Sequence, residues 1–200
     1  MAKRSKEKYD AILEASIRVI AKHGYHRAQV SKIAKEAGVA DGTIYLYFEN
    51  KEDLLISIFQ DRIGHFVSIL KQKLSKLNDP AQKLFQIIFS HLHYLETNPA
   101  LAIVMQMELR QSNSYVRTKI GEWLHEYLFL IEHVMEQGKQ SGIFRQNLDA
   151  RLARKMIFGT IDDLATTWVV HQQKYSLQEM AKPVYELFVN GITCGRGEIA

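Results

Sequence analysis

The chain has 200 residues, 46% hydrophobic and 24% charged, with three prolines and a single cysteine. That is enough to bury a core in one or two domains, and it excludes an internal disulfide framework. No apolar run approaches the ~18 residues that cross a bilayer, and the opening MAKRSKEKYD lacks the apolar core of a secretory signal, so a cytoplasmic protein is expected.

In chain order the period is helical. Tyr9, Ile12, Leu13, Ser16, Val19 and Ile20 share one face of a first helix, which Gly24 is placed to end in the left-handed conformation. Val30, Ile33, Ala34 and Ala37 repeat the same spacing in a short second helix stopped by Gly38. A third helix is expected over residues 41–48. Asn50 then caps a long fourth helix, from Lys51 to about Leu77, with Asp53 completing a partial capping box. Pro80 and Pro99 mark helix starts, because proline is tolerated only in a first turn. Gly138 and Ser141-Gly142 read as a turn, Asp149 as the cap of a helix over 151–171, and residues 177–192 as a last amphipathic helix. Nothing alternates long enough to make a sheet. The expected fold is all-α, with about nine helices.

Charge and motif converge on the first quarter. Of the net charge of +4, residues 1–50 hold nine Lys/Arg (Lys3, Arg4, Lys6, Lys8, Arg18, Lys22, Arg27, Lys32, Lys35) against six acids. Such a basic head suits a polyanion-binding module, although a solvated terminus reads the same way. Within it, QVSKIAKEAGVADGTIYLYF holds two short helices around a Gly-Val turn, the layout of a helix-turn-helix. Ile33, Ala34, Ala37, Val39, Ile44 and Phe48 form the expected packing set. Thr43, Tyr45 and Tyr47 are left outward, with Tyr45 also able to sit half in the core, and Gly42 permits a close approach of DNA.

The body carries aliphatic and Met-rich sequence (Val104, Met105, Met107) and many aromatics (Trp123, Tyr127, Phe129, Phe158, Trp168). These suit either an adaptable pocket for a flexible alkyl chain or ordinary core. Phe158, Ile161, Ala165, Trp168 and Val169, with Val184, Leu187, Phe188 and Ile192, keep helical spacing fit for core or for a subunit interface. Enzyme chemistry has little to stand on. His91 and His93 fall on opposite helix faces, Asp162 and Asp163 do not face each other, and no nucleophile motif or phosphate-cradling loop is present. No metal or cofactor is expected.

The pattern Ile33-Ala34, Ala37-Gly38-Val39, Gly42-Thr43-Ile44-Tyr45-Leu46-Tyr47-Phe48 and Lys51-Glu52-Asp53-Leu54-Leu55 resembles the signature of the TetR family of transcriptional regulators. The resemblance implies a helix-turn-helix domain over 1–50, a ligand-binding and dimerisation domain over 51–193 and a tail over 194–200. It implies contacts to a palindromic double-stranded operator from Gln29, Ser31, Lys32, Gly42, Thr43, Tyr45, Tyr47 and Lys51. It also implies a homodimer through the last two helices. Two positions depart from the common pattern. Ala40 and Gln29 replace capping residues, so Asp41 is expected to cap the third helix. A wider likeness, through LAIVMQMELRQSN and RLARKMIFGTIDDLATTWV, is to TetR-type repressors of fatty-acid degradation. It implies a long-chain acyl-CoA effector that releases the DNA, with Val104, Met105, Met107, Trp123, Tyr127, Phe158 and Trp168 as pocket residues. Arg110, Arg117, Arg151 and Arg154 are cations for its phosphates, or else members of surface ion pairs. A regulator sensing a drug, and a helical carrier that has lost DNA binding, are the competing readings.

Overall fold

The computed structural model describes residues 5–108 and 113–192, the side chain of Glu108 apart. Arg110, Cys194 and the rest of the expected tail lie outside the described residues, as do Lys3 and Arg4. Nine α-helices occur among the described residues: α1 (Lys6–His23), α2 (Val30–Ala37), α3 (Asp41–Ile44), α4 (Lys51–Leu74), α5 (Pro80–Thr97), α6 (Pro99–Ile103), α7 (Ser114–Gln140), α8 (Ala150–Val170) and α9 (Ala181–Ile192). A π-helical turn, Val104–Glu108, continues α6, and a 3-10 turn, Gln178–Met180, precedes α9.

The helices sort into two compact units, Met1–Gly64 with Asn98–Trp123, and His65–Thr97 with Leu124–Ala200. In the first, α1 packs on α2, on α6 and on the π turn, and α2 packs on α3. Its core is aliphatic: Ile12, Leu13, Ile20, Ile33, Ala34, Ile44, Leu54, Leu55 and Ile58, with Phe48 and Phe59. Ser16, buried on α1, returns its hydroxyl to the Ile12 carbonyl at 2.6 Å, which satisfies that buried polar group. In the second unit α5 packs against both α8 and α9. Leu84, Ile87, Ile88 and Leu92 of α5, Ile131, Val134 and Met135 of α7, and Ile157, Ile161 and Ala165 of α8 fill its core.

Caps explain most of the boundaries. The Asn50 side chain accepts from Asp53 N at 2.9 Å and the Asp53 carboxylate accepts from Glu49 N at 2.9 Å, a reciprocal clasp at the head of α4. Asp149 accepts from the backbone of Arg151 and Leu152 at the head of α8, and these bonds hold its carboxyl below the usual range. Pro99 sits in the first turn of α6 as expected.

Several expectations are corrected. Helix α3 closes after Ile44 and continues only as turns, Tyr47 N and Phe48 N both donating to the Ile44 carbonyl at 3.0 Å. No side chain caps α3: Ala40 holds the N-cap position and Asp41 already lies inside the first turn. Gly24 has φ 75 but ψ 153, so it leaves α1 by an extended exit rather than a left-handed one. Helix α4 ends at Leu74, and residues up to Leu77 taper off in three-residue turns. Gly138 is no turn residue. It lies buried within α7, where a Cβ would stand 1.9 Å from the Phe144 ring, so the glycine makes room for that ring. The turn itself falls at Gly142, φ 72.

Candidate nucleic-acid interface and sensing unit

Helices α2 and α3 are joined by three residues whose geometry rests on Gly38. It adopts φ 68 and ψ 30, and Val39 N reaches back to the Ala34 carbonyl at 2.9 Å. This is a Schellman-type close that an L side chain would strain. The turn aims α3 away from α2 while Ile33, Ala34, Ile44 and Phe48 meet underneath, nearly inaccessible; Ala37 and Val39 stay partly accessible.

On the outside of the same unit lie most of the residues expected to meet DNA. Gln29, Ser31, Lys32, Gly42 and Tyr45 are exposed, and Thr43, Tyr47 and Lys51 are half-buried. Gly42 has nothing within 4 Å of where a Cβ would stand, so no internal packing requires a glycine there. The two tyrosines divide their roles. Tyr45 is 56% exposed, whereas Tyr47 packs beside Phe48 and Tyr9, its hydroxyl accepting from Ser5 N at 2.9 Å. Leu46, equally exposed, is an outward apolar residue that the sequence reading missed. Lys51 is anchored at the head of α4, its ammonium 4.5 Å above the Tyr25 ring and 3.3 Å from the His26 carbonyl. A positive charge, an outward aromatic and an unobstructed glycine thus occupy one small domain, a surface suited to a polyanion with a groove.

Of the expected effector residues, Val104, Met105 and Met107 form the π turn and Trp123 lies on α7, all in the first unit. Tyr127, Phe158 and Trp168 belong to the second. There the structure joins Tyr127 and Phe158, ring centroids 6.1 Å apart, in a cluster with Phe66, Tyr94 and His91. The Tyr127 hydroxyl lies 3.0 Å from His91 Nδ1. Burial lowers the His91 pKa to about 4, and burial with the nearby Asp162 charge raises that of Tyr127, so both groups are neutral near pH 7. Trp168 serves packing, its Nε1 donating to the Tyr175 carbonyl at 2.7 Å. Arg151 and Arg154 both turn to Glu132, at 3.6 and 2.7 Å, and Arg117 is exposed. His91 was weighed in the sequence only with His93, as a group for enzyme chemistry; its burial beside a phenol carried no spacing signal.

The second unit also has an open groove of about 530 Å³, lined by Leu152, Met156, Ile157, Val184, Leu187 and Phe188 together with Arg145 and Asp149. Leu152, Met156 and Leu187 are 54%, 55% and 79% exposed. Of the interface candidates read from spacing, Ile161, Ala165 and Trp168 are core instead. Leu152 and Met156 were missed, because spacing alone cannot tell which of two apolar faces stays open.

Residues 12–58 match the bacterial regulatory proteins of the tetR family, and residues 59–191 match the C-terminal region of YsiA-like proteins. The fatty acid metabolism regulator protein of Bacillus subtilis (strain 168) is 50% identical over 190 residues, covering 95% of this chain and 98% of that one. The chain belongs to the TetR family. Among solved TetR-type structures, the fatty acid degradation regulator FadR from Bacillus halodurans superposes with a TM-score of 0.88 at 51% identity, covering 92% of this chain and 98% of that one. FadR from Bacillus subtilis, solved in complex with stearoyl-CoA, superposes with a TM-score of 0.89 at 50% identity, covering 92% and 99%. As a TetR-family member the chain is a DNA-binding transcriptional regulator and not an enzyme. No helix among its described residues is long and apolar enough to cross a membrane.

Proposed function

We propose that the chain is a dimeric, cytoplasmic repressor of fatty-acid-degradation genes that leaves its operator when long-chain acyl-CoA binds. One observation carries this reading: half-identity over almost the whole chain to a fatty acid metabolism regulator, with a solved relative holding stearoyl-CoA. A drug-sensing regulator has no comparable support.

In this reading residues 1–50 form the reading head, 51–193 the sensing and dimerising body, and 194–200 a tail. Gln29, Thr43 and Gly42 meet base edges or approach them closely, while Ser31, Lys32, Tyr45, Tyr47 and Lys51 position the phosphates. Tyr47 donates its hydroxyl proton to phosphate, since its oxygen already accepts from Ser5 N. The effector candidates are Val104, Met105, Met107 and Trp123 in the first unit and Tyr127, Phe158 and Trp168 in the second. Arg110 serves the CoA phosphates, supported by Arg117. Arg151 and Arg154, which Glu132 engages, are the further candidates. A second copy fills the groove on α8 and α9, giving a two-fold four-helix interface.

Release follows from linkage. Acyl-CoA shifts the equilibrium only if it binds the DNA-incompetent arrangement more tightly. Helix α4 is the lever, because it gives residues 51–64 to one unit and 65–74 to the other. The test is fluorescence anisotropy of a labelled palindromic operator from a fatty-acid-oxidation promoter, titrated with stearoyl-CoA and with free CoA. Loss of binding with stearoyl-CoA alone supports the mechanism. Binding indifferent to both keeps the DNA contact and removes the effector.

A further inference from the structure

Most polar groups shut away in a folded chain find a partner, so one that does not asks for a reason. His91 Nε2 is such a group: it is sealed from solvent and has no hydrogen-bond partner among the described residues. Its neighbours are aromatic rings, Phe66 at 6.1 Å, Tyr127 at 5.6 Å and Phe158 at 6.4 Å between centroids. The other ring nitrogen is committed to the Tyr127 hydroxyl. A phenol is the stronger acid and an imidazole nitrogen the stronger base, so Tyr127 donates to Nδ1 and fixes the tautomer that carries its proton on Nε2. The result is a single hydrogen-bond donor, held in orientation, in otherwise apolar surroundings.

The imidazole is deeply desolvated, yet the residue keeps some accessible surface. A saturated acyl-CoA brings a long apolar tail and, between tail and head, one acceptor: the thioester carbonyl. We propose that His91 Nε2 donates a hydrogen bond to the thioester carbonyl of the bound acyl-CoA, with Tyr127 as the positioning residue that sets its tautomer. This assignment rests on the acyl-CoA reading above and adds to it the atom that recognises the ester. Binding requires a neighbouring ring edge, that of Phe158 or Phe66, to turn aside, a rotamer change of the kind that commonly accompanies ligand entry.

The test compares stearoyl-CoA with S-octadecyl-CoA, a thioether of the same tail and head without the carbonyl, by calorimetry on the full-length protein. Wild type is expected to prefer the thioester by about tenfold, the worth of one buried hydrogen bond. His91→Phe brings the ratio near one. His91→Gln, whose amide nitrogen reaches the position of Nε2, keeps most of it. Equal affinity of wild type for the two ligands overturns the assignment, and an internal water as the partner of Nε2 gives that result. A preference that survives His91→Phe overturns it too, assigning the carbonyl to another group. The wild-type comparison stands even if His91→Phe fails to fold. Failure of wild type to bind either ligand overturns the acyl-CoA reading itself, and the role of His91 with it.

Discussion

At the scale of single residues, the glycines and the buried histidine separate function from folding. Gly42 has an ordinary helical backbone and open space where a side chain would go, so Gly42→Ala leaves thermal stability unchanged or raises it, by up to about 1 kcal/mol. Its cost falls on DNA, where a methyl intrudes on the approaching duplex. Operator affinity is expected to drop about tenfold, a change of roughly 1.4 kcal/mol, while the melting temperature holds; an unchanged affinity removes Gly42 from the interface. His91 acts on stability through pH. Its folded pKa, about 4, lies below the ordinary value of 6.5, so the unfolded chain takes up the proton first as pH falls. The native state therefore loses stability from pH 6.5 downward, and the loss levels off near pH 4, at about 3 kcal/mol. Denaturant titrations at pH 7 and pH 4 should show His91→Gln losing less stability between them than wild type by about that amount. Equal losses mean that protein motion or water relieves the buried charge.

At the scale of elements, helix starts were legible in the sequence and helix ends less so. Asn50, Asp149 and Pro99 announce their helices through local chemistry, since a cap or a first-turn proline needs no tertiary partner. Asn50→Ala is expected to destabilise the fold by about 1 kcal/mol, read from denaturant midpoints. Gly138 was misread for the opposite reason. Its glycine answers to Phe144, six residues on, and only the folded chain brings that ring against α7. Gly138→Ala should cost about 1–3 kcal/mol through overpacking, whereas a turn glycine of unstrained φ would tolerate alanine. The early end of α3 was hidden as well, because DGTIYLYF keeps helical spacing through Phe48 while the chain changes to turns after Ile44. The DNA-facing candidates were found through the motif. The effector candidates, chosen for being large and apolar, combine half-buried residues such as Met105 and Met107 with buried ones such as Tyr127 and Trp168.

For the whole molecule, the proposed interface on α8 and α9 makes the sharpest demand. Leu187 is 79% exposed in the single chain, so Leu187→Glu should leave the monomer folded. Light scattering is expected to show the dimer dissociating at micromolar concentration, and operator affinity to collapse as two half-sites become one. A dimer that survives Leu187→Glu paired with Met156→Glu moves the interface elsewhere. Coupling between reading and sensing is assigned to α4, which shares its residues between the two compact units. Stearoyl-CoA that lowers operator affinity must itself bind more weakly to the operator complex, by the same factor.

As the proposed dimer interface, the groove lined by Leu187 has one more consequence, for inheritance. An interface between identical copies uses every residue twice, so one substitution near the axis acts on both sides at once. After a gene duplication, two descendants can therefore cease to mix through very few changes here, long before their reading heads diverge. Until they do, a copy with a broken head but an intact groove captures healthy partners and silences them.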